Sequence, residues 1–284
     1  MATMRDIRRR IKSVKNTQQI TKAMKMVSAS KLRKAQGALL SARPYAERMR
    51  DVLMRVAAKT DASLHPLLVA REGNRRAYLI VTADRGLCGG FNANLIRKAV
   101  LTIREHGTED PMIIAVGRKG RDYFKRRLFN LVGDFTGLGE NISFSHAKTV
   151  ADAVRELYTH NLVDEVWLVY PHFVNPVTQR HEAVRLLPLQ TPESTGKLEA
   201  EYVFEPTPEE VLDHLLPRYL NTVVFRALLE AKAGEHGARM AAMDAASSNA
   251  EDMIKRLTLI YNRARQASIT REISELVAGA EALK

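Results

Sequence analysis

Three features of this chain have the residue types or glycine spacing that chemistry uses. The stretch "DRGLCGGFN", Asp84–Asn92, follows an apolar run and carries Gly86, Gly89 and Gly90. At a strand-to-helix turn such glycines let backbone amides approach a phosphate. However, the order is not G-x-G-x-x-G, and no Lys-Ser/Thr pair follows as a P-loop requires. No acidic residue ends the next apolar run to hold a ribose. The stretch therefore reads as a tight structural turn, with a nucleotide loop as the alternative. Cys88 is a nucleophile by type, but nothing in the stretch pairs it with a base, and it reads as a small buried filler. The eight histidines are scattered without close ligand spacing, so no metal site is expected. His172 and His181 flank a turn and are expected to be solvated. Glu272 and Glu275 have helical spacing and read as a solvated face or as partner contacts, not as an acid–base pair. No set of residues assembles a catalytic constellation.

The elements that would position these residues alternate in type. "AYLIVTA" (Ala77–Ala83) reads as a buried strand, followed by the glycine turn and a helix at "ANLIRKAVLTIREHG". "MIIAVG" (Met112–Gly117) reads as a second strand, followed by a helix around "RDYFKRRL". A helix at "HAKTVADAVRELYTH" precedes the strand "EVWLVYPHFV", and "RHEAVRLLPL" reads as its antiparallel neighbour. Strands alternating with helices imply a small, mostly parallel α/β sheet over roughly residues 75–200. The Pro- and Glu-containing "QTPESTGKLEAEYVFEPTPEE" reads as a surface loop.

The two ends differ from this middle. Nine of the ten prolines follow residue 65 and none follows Pro217. In the first segment apolar and small residues step by fours and threes: Ile7, Ile11, Val14, Gln18, Thr21, Lys25, Ser28, Leu32, Ala35, Leu39, Ala42, Ala46, Met49, Leu53, Val56. This is the spacing of a coiled coil. Pro44 is expected to kink this helix or start a new turn. In the last segment the seam runs Met240, Met243, Ser247, Ala250, Ile254, Leu257, Tyr261, Ala264. It is expected to drift to Ile269, Ile273 and Leu276, as a straight helix does against a heptad. Helices of about 55 and 65 residues span roughly 80 and 100 Å, while a globule of this length has a radius of gyration of about 19 Å. Each helix needs a cover for its stripe. The nearest is the other helix, running antiparallel. The seam is polar for a self-sufficient zipper, with Gln18, Thr21, Lys25 and Ser28 in core slots, which suggests a shaft enclosed by other protein.

Charge is concentrated at one end. Residues 1–50 hold fourteen Lys/Arg against Asp6 and Glu47, which accounts for the whole net charge of +12. "ITKAMKMVSASKLRKAQ" (Ile20–Gln36) has Lys22, Lys25, Lys31, Arg33 and Lys34 and no acidic residue. Such a surface meets an acidic partner: phosphate, lipid headgroups or a carboxylate-rich protein face. Nucleic acid fits poorly, because the cations are interleaved with core-type residues and aromatic stacking residues are missing. A membrane-surface helix fits poorly as well, because the apolar face lacks Trp and Phe. No run approaches the ~18 apolar residues of a membrane span. The single cysteine excludes an internal disulfide. The Arg-rich start runs unbroken into the following helix, so it is read as mature protein without a signal or transit peptide.

Both ends resemble the gamma subunits of F-type ATP synthases. "ITKAMKMVSASKLRKAQ" is similar to that family's N-terminal helix. "ITREISELVAGAEAL" is similar to its C-terminal signature, with Ile269, Thr270, Glu272, Glu275, Gly279 and Ala280 in matching slots. "VTADRGLCGGFN" is similar to the family's glycine turn. The resemblance implies an α/β fold: a long antiparallel coiled coil of N- and C-terminal helices plus a small Rossmann-like α/β domain. The expected parts are a coiled-coil helix at 1–60, a globular domain at 75–200 and a second coiled-coil helix at 210–284. The implied function is a noncatalytic central rotor shaft, with no cofactor, that passes torque between a membrane c-ring and catalytic beta subunits. The implied partners are the alpha, beta, epsilon and c subunits. Met24 and Lys25 would lie near acidic loops of the beta subunits, and Arg239, Arg265 and Gln266 near their catch loops. Arg43, Glu47, Tyr202 and Glu205 would belong to the foot on the c-ring. Epsilon would pack on the α/β domain, and the chain would sit peripherally on the cytoplasmic side of a bacterial membrane. Chloroplast members carry an inserted segment with a cysteine pair. Here Cys88 stands alone, so that thiol switch is not expected.

Overall fold

A computed structural model describes residues 3–57, 65–176, 178–189, 205 and 207–282. Helix α1 is Met4–Ala57, and strand β1, Arg76–Val81, leads to α2, Phe91–Glu105. Then follow β2 (Met112–Val116), α3 (Arg118–Arg126), β3 (Asn130–Phe135), α4 (Phe144–Thr159), β4 (Glu165–Phe173), β5 (Gln179–Leu187) and α5 (Pro208–Ala282). Contacts divide the chain into two compact units: Met1–Val27 with Met240–Lys284, and Ser28–Arg239.

The larger unit is built on one five-stranded sheet of order β3-β2-β1-β4-β5. β1 pairs in parallel with both β2 and β4, β2 with β3 in parallel, and β5 runs antiparallel to β4. Right-handed crossovers from β1 to β2 and from β2 to β3 advance the same way, so α2 and α3 share one face. The return from β3 to β4 puts α4 on the other. The cores agree: Phe91, Leu95, Ala99, Ile103 and Phe124 pack on one face. Val150, Val154 and Tyr158 of α4 pack on the other with Leu53 and Val56 of α1 and Leu216, Leu220 and Val224 of α5.

One strand differs from the sequence reading. β3, "NLVGDF", was not expected as a strand. It is the sheet edge, half exposed in strict alternation, and its Gly133 and Asp134 weaken the propensity signal. Helix α5 starts at Pro208, at the end of the stretch read as a surface loop. Thr207 Oγ1 accepts the Glu210 amide at 3.3 Å, and proline is well placed at a first helical position because its missing N–H needs no partner. Pro44 and Pro217 lie inside helices assigned without a break.

In α1, each of the fifteen seam positions named above is buried or half buried. In the smaller unit the partners run antiparallel: Thr21 Oγ1 lies 2.7 Å from Ser247 Oγ, and Lys25 Nζ lies 2.6 Å from Asp244 Oδ1. On α5 the half-buried positions Ile254, Leu257, Tyr261, Ala264 and Ser268 keep a heptad step. The expected drift to Ile269, Ile273 and Leu276 does not occur; all three are exposed, Leu276 at 74%. Continuing the observed pairing brings Met4 opposite about residue 264, so α1 ends there and has nothing left to cover the last turns.

Helix α5 approaches the β4–β5 hairpin closely at two glycines. A Cβ at Gly234 would meet Phe91 at 3.2 Å and Gln179 at 3.3 Å, and one at Gly237 would meet the Pro176 carbonyl oxygen at 2.6 Å. On an exposed helix Gly→Ala gains about 1 kcal/mol. At Gly237 overpacking against backbone outweighs that, and Gly237→Ala is expected to cost about 1–3 kcal/mol. The check is urea unfolding followed by Trp167 fluorescence; a midpoint at or above that of the parent chain would contradict the packing described.

Candidate functional site

The glycine turn sits at the carboxyl end of β1, the ligand-binding end of a doubly wound sheet. Several side chains in and beside it are engaged internally. Asp84 accepts the Arg118 amide at 2.9 Å and the Gly137 amide at 3.1 Å, so a carboxylate of the chain already occupies the start of α3 where an anion would sit. Thr82 Oγ1 accepts the Gly120 amide at 2.9 Å and donates to the Val116 carbonyl at 3.0 Å. Asn92 Oδ1 accepts the Ala83 amide at 2.9 Å, and Asn92 Nδ2 donates to Cys88 Sγ at 3.2 Å. Cys88 is 1% exposed, and burial pushes its thiol up, away from the thiolate a nucleophile needs.

The crevice beside this turn is filled by α5. Between Thr82, Asp84, Gly117, Leu228, Lys232 and Glu235 a cavity of about 20 Å³ remains. That is room for about one water, against roughly 300–1,000 Å³ for a nucleotide-sized ligand. Among the described residues no group of three or more His, Cys, Asp or Glu is arranged to hold a metal.

The histidines are less solvated than expected. His172 Nδ1 lies 2.6 Å from Glu230 Oε2, and the same carboxylate accepts the Phe173 amide at 3.0 Å and the Arg226 Nε at 2.7 Å. Glu230 is buried, so α5 supplies the partner that the sequence neighbourhood of His172 lacks. His181 is half buried, its ring held below the ordinary imidazole range by burial. Its Nε2 has no hydrogen-bond partner among the described residues.

The residues singled out by the resemblance fall into three settings. Lys25 and Asp244 form an ion pair with side chains 42% and 60% exposed, and Met24 beside them is half buried. Arg265 and Gln266 are exposed on α5, as are the positions from 271 to 280. Arg239, 9% exposed, is embedded: Nη2 donates to Glu235 Oε1 at 2.8 Å and to the Gly86 carbonyl at 3.2 Å. Arg43 and Glu47 are exposed and pair with each other at 2.8 Å; Glu205 is exposed, and Tyr202 lies outside the described residues. Beside Arg43–Glu47 in sequence, Tyr45 lines an open cleft of about 480 Å³ with Phe144, Lys148, His214 and Arg218.

Sequence reasoning missed a set of buried titratable side chains on α5, Glu230, Glu235 and His236, with Glu140 of the β3–α4 loop 3.0 Å from the His236 ring. The signal was present in "EAKAGEHGAR" (Glu230–Arg239). Two glycines inside a long helix mark a close approach, and charges flanking such an approach are drawn into the interior with partners.

A family model described as ATP synthase matches residues 3–283. The ATP synthase gamma chain of Desulforamulus reducens is 57% identical over the full length of both chains, and that of Pelotomaculum thermopropionicum 55%. The chain belongs to the ATP synthase gamma chain family. Among solved structures, a chain of the Tetrahymena thermophila mitochondrial ATP synthase central stalk and c-ring aligns with a TM-score of 0.62 at 26% identity, covering 80% of this chain and 99% of its own. A chain of the Euglena gracilis mitochondrial ATP synthase rotor aligns with a TM-score of 0.67 at 22% identity, over 94% and 98% of the two chains, and shares the fold.

The Thr21–Ser247 contact joins the two helices at a polar step of the seam. Thr21 Oγ1 also lies 3.0 Å from the Gln18 carbonyl, and Ser247 Oγ lies 2.8 Å from the Met243 carbonyl, so two hydroxyl protons serve three contacts: one hydroxyl donates across the seam and the other to its own helix. Thr21→Val is expected to cost about 1 kcal/mol, and the double variant with Ser247→Ala less than the two single costs together. Thermal melts followed by circular dichroism supply the cycle; strictly additive costs would mean the two hydroxyls do not interact.

Proposed function

We propose that this gamma-family chain is the central rotor shaft of an F-type ATP synthase. In this reading ion flow turns a membrane ring of c subunits, the chain transmits the torque, and catalytic beta subunits make or hydrolyse ATP. The chain itself is noncatalytic. The observation that carries this reading is the full-length identity to ATP synthase gamma chains, combined with a doubly wound crevice that the chain's own helix fills. With about one water's room at its ligand-binding end, the α/β unit is left with a structural use for its sheet.

In the paired helices, Thr21, Ser28, Ser247 and Ala250 are buried where a self-sufficient coil has Leu and Ile. Around them stand exposed Lys22, Arg33 and Lys34. Screened, exposed cations give equivalent acidic partners attraction without one deep well, which suits a shaft seen by several subunits in turn. Met24 and Lys25 are assigned to acidic loops of beta; Arg239, Arg265 and Gln266 to its catch loops; Arg43, Glu47, Tyr202 and Glu205 to the foot on the c-ring. Arg265 and Gln266 are open to a partner as they stand. Arg239 presents a partner chiefly with the rim of its Glu235–Gly86 cradle. Alpha encloses the helices with beta, and epsilon packs on the α/β unit. Among the described residues no helix is long and apolar enough to cross a membrane. Attachment is therefore assigned to the c-ring, at the cytoplasmic face.

Charge reversal separates the shaft from the fold. The Lys25–Asp244 pair is exposed and worth about 0.2–1 kcal/mol, so K22E/K25E is expected to move the melting of the chain only slightly. In inverted membrane vesicles carrying the assembled complex, the same variant is expected to lower ion pumping per ATP hydrolysed several-fold. Pumping that matches the parent complex at equal hydrolysis would refute the electrostatic part of the reading. Failure of the chain to co-purify with an ATP-hydrolysing complex would refute the whole.

A further inference from the structure

The open cleft beside Tyr45, about 480 Å³ in volume, lies wholly within the larger unit, between α1, α4 and α5. Helix α4 lines it with Phe144 and Lys148, one turn apart, and α5 with His214, Arg218 and Asn221 along one stripe. The rings of Phe144 and Phe225 meet edge to face at 5.7 Å, which holds the start of α4 on α5.

The charges of the cleft fall into two sets. Arg155 Nη2 lies 2.9 Å from Asp152 Oδ1, and Asp213 Oδ1 lies 3.4 Å from His65 Nε2, so the groups at that end have partners. Lys148 and Arg218 are exposed and form no ion pair with a described residue. Asn221 sits deeper. It is 6% exposed, yet its side-chain amide lines the cleft and has no hydrogen-bond partner among the described residues. Buried polar groups are as a rule paired, so an open amide at the floor of a cationic cleft points to a partner that the chain does not supply.

Donor count selects the chemistry of that partner. Lys148, Arg218, the Asn221 amide, the Tyr45 hydroxyl and His214 offer more hydrogens and more charge than a single carboxylate can use. A phosphate ester brings a charge of about −1.5 to −2 and three acceptor oxygens. At the rim Tyr45 and Phe144 are 51% and 40% exposed, and such ring faces suit a planar base. The volume falls in the range of roughly 300–1,000 Å³ that small-molecule sites occupy. We propose that this cleft binds a nucleotide, with its phosphates against Lys148, Arg218 and Asn221 and its base against Tyr45 and Phe144. Binding is reversible and makes no covalent bond. The cleft is separate from the filled crevice at the carboxyl ends of β1 and β2, and the assignment holds whether or not the chain is a rotor shaft.

The test is equilibrium dialysis of the full chain against radiolabelled ATP without added metal. Binding is expected to saturate at one ATP per chain, to weaken as salt is raised, and to be displaced by pyrophosphate. K148Q/R218Q is expected to weaken ATP about tenfold or more and to leave the thermal melt in place, since neither cation is paired in the fold. Tyr45→Ala separates base from phosphate: ATP is expected to weaken about fivefold or more, and pyrophosphate to bind as in the parent chain. No saturable binding, or an affinity that K148Q/R218Q leaves unchanged, would overturn the proposal. Equal losses of ATP and pyrophosphate in Tyr45→Ala would overturn the placement of the base. Two further arms cover other sources of negative charge: phosphatidylglycerol vesicles sedimented with the chain, and polyglutamate for an acidic protein face. Capture of either through Lys148 and Arg218, with no ATP bound, would overturn the nucleotide assignment.

Discussion

The structure depends on how one helix of 75 residues covers its surface along its length. Helix propensity cannot hold such an element in water, so each section needs a cover, and the covers change. From Leu212 to Ala233 the helix is buried on several sides against α4, the end of α1 and the sheet. From Glu230 to Arg239 the burial continues but the side chains are charged. From Met243 to Ser268 it narrows to a single seam of small and medium residues. Beyond that every position to 280 is exposed.

The middle section explains why the α/β unit has the architecture of a ligand-binding fold with hardly any room for a ligand. Gly234 and Gly237 let the helix backbone come within side-chain distance of the β4–β5 hairpin, and this places Lys232 and Glu235 over the carboxyl ends of β1 and β2. The binding functions of that end are taken over internally. Asp84 stands where an anion would cap α3, and Arg239 takes up the Gly86 carbonyl of the turn. Fixing Glu230 and Glu235 inside the protein is costly unless each is paired, and each has two or more donors within hydrogen-bond range. Removing one partner would leave a buried charge, so this section is rigid by obligation, whereas the exposed pairs elsewhere contribute little.

Much of this was legible in the sequence because it is local. Strands β1, β2 and β4 are apolar runs bounded by turn residues, mostly polar β5 is placed by the turn that returns it beside β4, and the fifteen-position seam of α1 follows from spacing alone. β3 was hidden because a half-exposed edge strand with a glycine and an aspartate carries little more signal than a loop. The ending of the α5 seam was misjudged for a different reason. Helical drift predicts Ile269, Ile273 and Leu276, but a seam continues only while its partner does, and the length of the partner is not written in α5. The histidines failed in the same way. His172 reads as a turn residue until Glu230, 58 positions later, is brought beside it. Within the candidate site, Arg265 and Gln266 are simply exposed, whereas the cradle of Arg239 is assembled from Glu235 and the distant glycine turn.

The thinning of cover toward the end of α5 carries the functional argument furthest. Apolar burial contributes about 25 cal/mol per Å², so a seam of Thr, Ser and Ala holds two helices less firmly than one of Leu and Ile. Yet the last turns expose Ile269, Ile273, Leu276 and Val277 in succession, a patch that water disfavours. A helix pair of modest adhesion, ringed by cations near its polar seam and apolar at its uncovered end, is most stable when enclosed by something acidic along its side and apolar at its tip. In a family whose members include ATP synthase gamma chains, the same pattern that makes the pair a weak coiled coil by itself makes it suitable for turning within a larger assembly, because what its own partner leaves uncovered is spread along the helix instead of gathered in one deep contact.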